Sequence, residues 1–317
     1  YHRSMILAES EPARFEPDYY RRNFLLLIQT VNSIYDDLLI PRETAFIQTF
    51  SSCSPDAQCL YTRLLSRVGP VFRGDKISYE EIPDIDAAAR ELEQRNLMVI
   101  NGDYELQLIL ELMLKDELKA LVANPAKKKK AELIEEIISS MVAGEVHTYR
   151  KTLFPTFELL GIETVILLKL LFFGNFYQNL SEFIITDMGI IKYEDYPLDK
   201  SVRAFADRLS IDNLIYLHGI SETLHETLSE LDADDIDQIV KELKTQIPDP
   251  EHNRQVLRRF GRICNTLARQ IERVGDGRTA AEIYNLTSLP PSRERQVRIL
   301  FSDSSYSEAS ELCDRIL

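Results

Sequence analysis

Residues 54–106 read SPDAQCLYTRLLSRVGPVFRGDKISYEEIPDIDAAARELEQRNLMVINGDYEL, and the architecture turns on them. Ser54-Pro55-Asp56 is a helix start. A hydroxyl is placed to cap the first N–H groups, and proline follows at the first helical position, where its missing donor is harmless. The spacing predicts a helix over 57–67, stopped by Gly69-Pro70. Val71-Phe72-Arg73 predicts a short strand. Ile82-Pro83-Asp84 leads into a second helix over 85–96, with Ala88, Leu92 and Leu97 apolar. Met98-Val99-Ile100 and Tyr104-Glu105-Leu106 then flank Asn101-Gly102-Asp103, a hairpin turn signal. Helix, turn, helix and a two-stranded ribbon is the order of a winged helix. Such modules bind protein as well as DNA, so order alone does not fix the partner.

Upstream, residues 1–17 read as a polar leader, and a helix is expected from Asp18. Tyr20, Phe24, Leu27, Ile28, Val31 and Ile34 make one apolar stripe at helical spacing. Pro41 opens another helix with Phe46, Ile47 and Phe50 on its apolar face. Downstream, residues 110–121 predict a short helix, Asn124-Pro125-Ala126 a turn, and a further helix opens with Lys127, Lys128, Lys129 and Lys130. This arrangement is similar to a SAP motif, a helix–loop–helix that grips DNA, with Leu118 and Leu121 facing Leu133 and Ile137. A helix N-terminus disfavours cations on dipole grounds, a cost that a polyanion would relieve.

Residues 150–193 are apolar and read as mostly helical, a core hinge between two halves. Residues 199–247 predict acidic amphipathic helices without a site signature. From Asp249 the pattern is helical hairpins. Leu267-Ala268, Gly275-Asp276, Ala280-Ala281 and Tyr284 form one unit, and Tyr306, Ala309 and Leu312 repeat its spacing after Pro290-Pro291. Small residues at helix crossings resemble tetratricopeptide repeats, and fewer than two clear repeats precede Leu317. The repeats therefore read as cut short, and the start at Tyr1 in place of Met reads as that of a fragment. The fold expected is mainly α with a small β-ribbon. It comprises a helical and winged-helix-like DNA-binding region (1–104), a SAP-like helix–loop–helix (105–150), a helical linker or core region (151–248) and TPR-like repeats (249–317).

The chain has 317 residues and a formal net charge of −14. The stretch 194–250 holds 14 acidic and five basic residues, so most of the negative charge is local and nucleic-acid binding elsewhere remains permitted. No apolar run is long enough to span a membrane, and no secretory signal is visible. A chain that is not secreted is expected, cytoplasmic and nucleoid-associated in a bacterium or nuclear in a eukaryote. The four cysteines form no CxxC pair, which argues against zinc and suits idle thiols in a reducing compartment. The five histidines, His2, His147, His218, His225 and His252, are scattered. No phosphate-binding glycine loop, HExxH or GxSxG occurs. A restriction-type metal nuclease needs Pro-Asp and then Glu-x-Lys on strands. Pro83-Asp84 and Glu242-Leu243-Lys244 both fall in helical pattern, so no catalytic set is expected in these residues.

Several segments together resemble the N-terminal half of the Fanconi-associated nuclease family. They are Asp18-Tyr19-Tyr20-Arg21-Arg22-Asn23-Phe24, Leu60–Arg67, Lys76–Ile82, and Leu171-Phe172-Phe173-Gly174-Asn175-Phe176-Tyr177-Gln178. Ser181-Glu182-Phe183, Asp187-Met188-Gly189, Lys192-Tyr193-Glu194 and Pro291–Arg295 come after them in family order. The resemblance implies the DNA-binding and scaffold portion of a structure-specific DNA repair nuclease. Such enzymes act near 5′ flaps and on cross-linked DNA, as metal-dependent endo- and 5′-exonucleases. Their VRR-type catalytic domain, with its Mg²⁺ or Mn²⁺, is absent from this chain, which implies no cofactor of its own. Branched or flapped DNA is the implied partner, with protein partners through the repeats and no membrane. Carried onto this sequence, the DNA-binding candidates are Tyr20, Arg63, Arg67, Arg73, Lys76 and Lys127, Lys128, Lys129 and Lys130. Arg63 and Arg67 lie one turn apart on one helix face and are expected to be exposed together. Val68 stands where some relatives carry a basic residue. The alternative of another class is a helical-repeat protein adaptor that never touches DNA, favoured by the acidic stretch and the partial repeats.

Overall fold

The computed structural model describes residues 17–185, 200–201, 203–227, 233–245 and 253–316. The leader 1–16, His2, His252 and the motifs at 187–189 and 192–194 lie outside these residues. The chain divides into two compact units, Tyr1–Val202 and Arg203–Leu317.

The first unit begins with four helices whose starts obey local chemistry. Helix α1 (Tyr19–Tyr35) buries the stripe from Tyr20 to Ile34. Helix α2 (Pro41–Ser51) starts where the Ile40 N–H donates to Glu43 Oε2 at 3.0 Å. Helix α3 (Pro55–Leu65) is capped by Ser54, whose Oγ accepts from Ala57 N–H at 3.2 Å. Helix α4 (Ile85–Gln94) is capped by Asp84, which accepts from Ala87 N–H at 2.8 Å. Phe24, Phe46, Phe50 and Tyr61 meet in edge, tilted and stacked contacts with centroids 5.1 to 6.4 Å apart, and this aromatic cluster joins α1, α2 and α3.

Strands β1 (Val71–Arg73), β2 (Met98–Ile100) and β3 (Thr156–Leu159) form one antiparallel sheet in the order β1-β3-β2. The register pairs Phe72 with Phe157 and Val99 with Glu158. This corrects the expected ribbon. Residues 104–106 form no return strand, and β3, expected as helix, is the central strand. A lone two-stranded ribbon is marginal in water, whereas β3 gives both short strands a partner. Asn101 turns the chain at φ 58°, and its N–H donates to Thr156 O at 2.9 Å while its Oδ1 accepts from Thr156 N–H at 3.2 Å. The turn signal is therefore real, but the turn binds β3 and releases the chain into a helix. Beside β1, Gly74 N–H donates to Pro155 O at 2.8 Å, and a Cβ on Gly74 would stand 2.7 Å from the Pro155 ring, so only glycine fits.

Helices α5 (Leu106–Leu112), α6 (Lys115–Lys119), α7 (Lys130–Ser140) and α8 (Ala143–Leu153) come next. Ile109, Leu110, Met113, Leu118, Leu133, Ile137, Val146 and Phe154 form their core, with Leu121 partly buried against it. Helix α9 (Ile162–Phe173), apolar nearly all round, packs on α1 beside α10 (Leu180–Ile185). Asn23 of α1 donates to Ile184 O at 3.0 Å. Residues 151–185 thus fold with the first unit, across the boundary expected at residue 150, because β3 closes the sheet and α9 covers α1.

The second unit contains α11 (Arg208–Thr227), α12 (Ala233–Thr245), α13 (Arg254–Arg273), α14 (Gly277–Tyr284), α15 (Ser292–Ser302) and α16 (Tyr306–Ile316). Helix α13 packs on α11 and α14, α14 on α15, and α15 on α16. Leu267, Ala268, Ala280 and Tyr284 are buried at these crossings, whereas Tyr306 is exposed against Phe301.

Candidate nucleic-acid interface

The helix–strand–helix segment carries its basic residues in two different states. Arg63, on α3, lies over the Tyr20 ring with its guanidinium carbon 4.0 Å from the centroid. Its Nε and Nη2 donate to Glu81 Oε1 at 2.8 and 2.5 Å, and the Tyr20 hydroxyl donates to the same oxygen at 2.7 Å. Tyr20 is 0% exposed. Burial pushes its hydroxyl pKa upward, and the bond to Glu81 adds to the rise, so it stays a donor. Burial alone would raise the Glu81 pKa. The donors from Tyr20 and Arg63 outweigh it and hold the carboxyl below its usual range. Tyr20, expected at a DNA-facing position, is therefore a wall of the interior that orients Arg63.

The expected exposed pair is split as well. Helix α3 ends at Leu65 with Ser66 as its C-cap, so Arg67 leaves the helical face. Arg67 is exposed, with its guanidinium 5.7 Å from the Tyr79 centroid; Arg63 approaches the same ring at 5.1 Å. Sequence spacing does not reveal Tyr79 and Glu81 as members of this cluster. They sit in an irregular loop 16 and 18 residues after Arg63, where no period links them to it.

Arg73 is committed more deeply. Its side chain is 9% exposed, with the guanidinium carbon 3.7 Å from the Phe154 centroid. It donates to Asp75 at 2.8 and 2.9 Å, to Glu117 at 2.7 and 3.0 Å, and to Leu112 O at 3.3 Å. Hydrogen bonding to Asp75 leads the causes that raise its pKa, so it is permanently charged and fully engaged. It bolts β1 to α5 and α6. Lys76, three residues on, is exposed and 3.7 Å from Asp75.

The four lysines divide in the same way. Lys128 pairs with Glu136, and Lys130 Nζ donates to Glu111 O at 2.7 Å. Lys127, at φ 68°, and Lys129, the N-cap of α7, are exposed. The last carbonyls of α5 thus receive two cations, Arg73 at Leu112 O and Lys130 at Glu111 O. That end of a helix favours positive charge. These two bonds draw the segments bearing Lys76 and Lys127–Lys130 to one end of α5, where Lys76, Lys127 and Lys129 are exposed, as is Lys115 at the start of α6.

Among the described residues, the candidates from the sequence do not fit the divalent metal that a nuclease needs. Asp84 spends its carboxylate on capping α4, Glu242 and Lys244 lie on helix α12, and no group of three or more His, Cys, Asp or Glu side chains able to hold a metal occurs among the described residues. Cys53, Cys59 and Cys264 are buried thiols and Cys313 is half-buried. No helix among the described residues is long and apolar enough to cross a membrane.

Comparison with known proteins shows what the chain is similar to. The family model described as FAN1, HTH domain, matches residues 18–99. A Fanconi-associated nuclease 1 homolog of Pseudomonas aeruginosa is 28% identical over 312 residues, covering 96% of this chain and 54% of that protein. The homolog of Arabidopsis thaliana is 29% identical over 246 residues, 72% of this chain and 27% of the plant protein. In fold, the chain matches a crystal structure of paFAN1 bound to 2nt 5′ flap DNA with a gap, at TM-score 0.80 and 28% identity. That match covers 96% of this chain and 55% of the other. The chain spans about half the length of the bacterial relative.

Proposed function

We propose that this chain, similar along nearly its whole length to the N-terminal half of the Fanconi-associated nucleases, is the DNA-binding and scaffold portion of a structure-specific (5′-flap) DNA repair nuclease. Branched or flapped DNA is its partner, and the chemistry on Mg²⁺ or Mn²⁺ belongs to residues outside these 317. One observation carries the proposal: the match over 96% of the chain to a relative held on flap DNA. The arrangement at the end of α5 supports it. Lys76, Lys127 and Lys129 are exposed on a scaffold in which Arg73, Lys128 and Lys130 are engaged with protein partners, and exposed cations are what contacts to phosphates require. Arg67 is a further exposed cation in the same unit. Arg63, Arg73, Tyr20, Lys128 and Lys130 hold these positions from within.

The test is a binding titration of the purified chain with a 5′-flap duplex and a linear duplex at two salt concentrations. Binding that weakens steeply with salt and favours the flap is the expected outcome. No binding to either DNA at low salt would return the chain to the protein-adaptor function. With Mg²⁺ or Mn²⁺ added, the flap should stay uncut; incision that co-purifies with the folded chain would overturn the placement of the chemistry.

A further inference from the structure

Helix α13, in the second unit, has six arginines and a single glutamate in its 20 residues, within a chain whose formal net charge is −14. Arg258, Arg262, Arg269 and Arg273 are all exposed. At roughly 100° and 1.5 Å per residue they fall within about 60° of one another, in a row about 22 Å long. Val256, Phe260, Ile263, Leu267 and Ile271 occupy the opposite, buried face. Arg258 and Arg262, like Arg269 and Arg273, are like charges one turn apart, which disfavours the helix slightly. The core does not require arginine at these positions, and an anionic partner would relieve the repulsion.

The C-terminal half of this row borders a recess of about 500 Å³ between α13 and α15. Its arginines are in two states. Arg295 Nε donates to Glu272 Oε2 at 3.1 Å, and the Tyr284 hydroxyl donates to the same oxygen at 3.2 Å, so this cation is engaged within the unit. Arg298 pairs with Glu294 along α15 at 2.6 Å. Arg269 and Arg273 line the recess without a carboxylate partner among the described residues. The recess also holds acceptors. One is the Glu294 carboxylate. Another is Asn265 Oδ1, which is buried and has no donor, while Asn265 Nδ2 donates to Leu289 O and Pro290 O at 3.0 and 3.2 Å.

We propose that this face of α13 docks an extended acidic segment of a protein partner, with two of its carboxylates on Arg269 and Arg273. The two arginines stand about 6 Å apart along the helix axis. Alternate side chains of an extended chain lie on one side of it and repeat at about 6.6 Å, so two carboxylates reach both arginines at once. Each guanidinium can hold its carboxylate through two N–H groups. The backbone N–H groups of the same segment are the kind of donor that Glu294 and Asn265 lack. A DNA strand fits this surface less well. It brings a charge at every phosphate and no backbone donor, so the acceptors stay unanswered. Residues 203–317 hold 20 acidic residues against 15 basic ones. A duplex, much longer than the screening length of about 8 Å, meets a unit that is negative as a whole, whereas a short peptide meets the arginine row alone. The inference does not depend on the DNA-binding function, and the experiment reads the two separately.

A fluorescein-labelled peptide of alternating Glu and Ser is titrated with the full chain by fluorescence anisotropy, beside the same peptide with Gln for Glu and beside a labelled 5′-flap duplex. The wild-type chain should bind the Glu peptide about tenfold more tightly than the Gln peptide, as two surface ion pairs allow. Arg269→Glu with Arg273→Glu should remove that preference and create one for a peptide of alternating Lys and Ser, a swap that loss of folding does not imitate. Arg269→Gln with Arg273→Gln should also lose the Glu preference, while its flap affinity stays within about twofold of the wild type. Both side chains lie opposite the core, so neither variant should lower the thermal midpoint. Equal affinity of the wild type for the Glu and Gln peptides would overturn the proposal, as would a Glu preference that survives in the Gln variant. A folded Gln variant whose flap affinity falls about tenfold would assign the row to nucleic acid and overturn it too. Flap binding without a peptide preference leaves the DNA-binding function standing alone. A peptide preference without flap binding leaves this inference standing alone.

Discussion

Arg63 and Arg73 stand beside Arg67, Lys127 and Lys129 in one small unit, yet their charges have opposite fates. The first two are stacked on aromatic rings and neutralised by Glu81, or by Asp75 and Glu117. Arg67, Lys127 and Lys129 stand exposed. A basic residue near a DNA-binding motif can therefore shape the surface without belonging to it. The arginine fork suits the first task, since it satisfies two carboxylates and a carbonyl at once, and lysine's flexible stem suits the second.

The contrast is tested most severely at Arg73. Arg73→Ala strands two partly buried carboxylates and a carbonyl, and removing one partner of such a network costs about 3 kcal/mol. A lowered denaturant midpoint with an unchanged salt slope for DNA binding is the expected result. Acid titration gives a second handle. The Arg73 bond depresses Asp75; at Glu117 burial pushes the pKa up, and the bonds from Arg73 and the Leu114 N–H together outweigh it. A depressed carboxylate contributes stability above its unfolded pKa, near 4, and loses it as pH falls through the folded value. The wild type should thus lose stability on acidification below about pH 4, and Arg73→Ala should flatten that limb. A flattened salt slope in this variant would make Arg73 a phosphate contact after all.

Tyr20→Phe probes the same interior more gently. It removes the donor to Glu81 and leaves the ring under Arg63, for a loss of about 1.5 kcal/mol, as a hydrogen bond to a charged group allows. Affinity for DNA should fall no further than stability does. A large loss of affinity in a chain of wild-type stability would place Tyr20 at the DNA.

Much of this is legible in the sequence, and the failures share a cause. Ser54-Pro55, Pro41 and Asp84 announce their helices because caps act within four residues. Leu118, Leu133 and Ile137 announce a core because helical period is local. Strand β3 is hidden. Thr156–Leu159 is four residues long, sits in an apolar stretch that also suits a helix, and finds its partners roughly 55 to 90 residues away. Asn101-Gly102 marks a turn but not a hairpin, since the element after a turn is set by whichever strand is waiting. Glu81 and Glu117 stay invisible for the same reason. A lone carboxylate in a loop or a short helix carries no signal of the arginine it will meet.

Replacing Lys127–Lys130 with alanine tests the exposed side of the contrast. Lys128 and Lys130 have internal partners, both near the surface, so stability should fall by less than about 1 kcal/mol. Affinity should fall alike for different sequences, and the slope of log K against log salt should shrink by about 0.9 for each phosphate contact removed from a duplex. An unchanged affinity would leave the run as a solvated surface.

Arg67→Ala has the smallest effect on folding. Arg67 lies beyond the end of α3, and its approach to Tyr79 is a long one, worth about 0.5 kcal/mol at an exposed site. The midpoint should therefore barely move. On DNA, removing one phosphate contact takes about 0.9 units of salt slope from a duplex and about 0.7 from a single strand. A contact with paired DNA would lower the slope equally for a nicked duplex and a flap, and this is the outcome expected of an exposed arginine just beyond the end of α3. A reduction on the flap alone would place Arg67 at the unpaired strand, and no reduction on either would remove Arg67 from the interface.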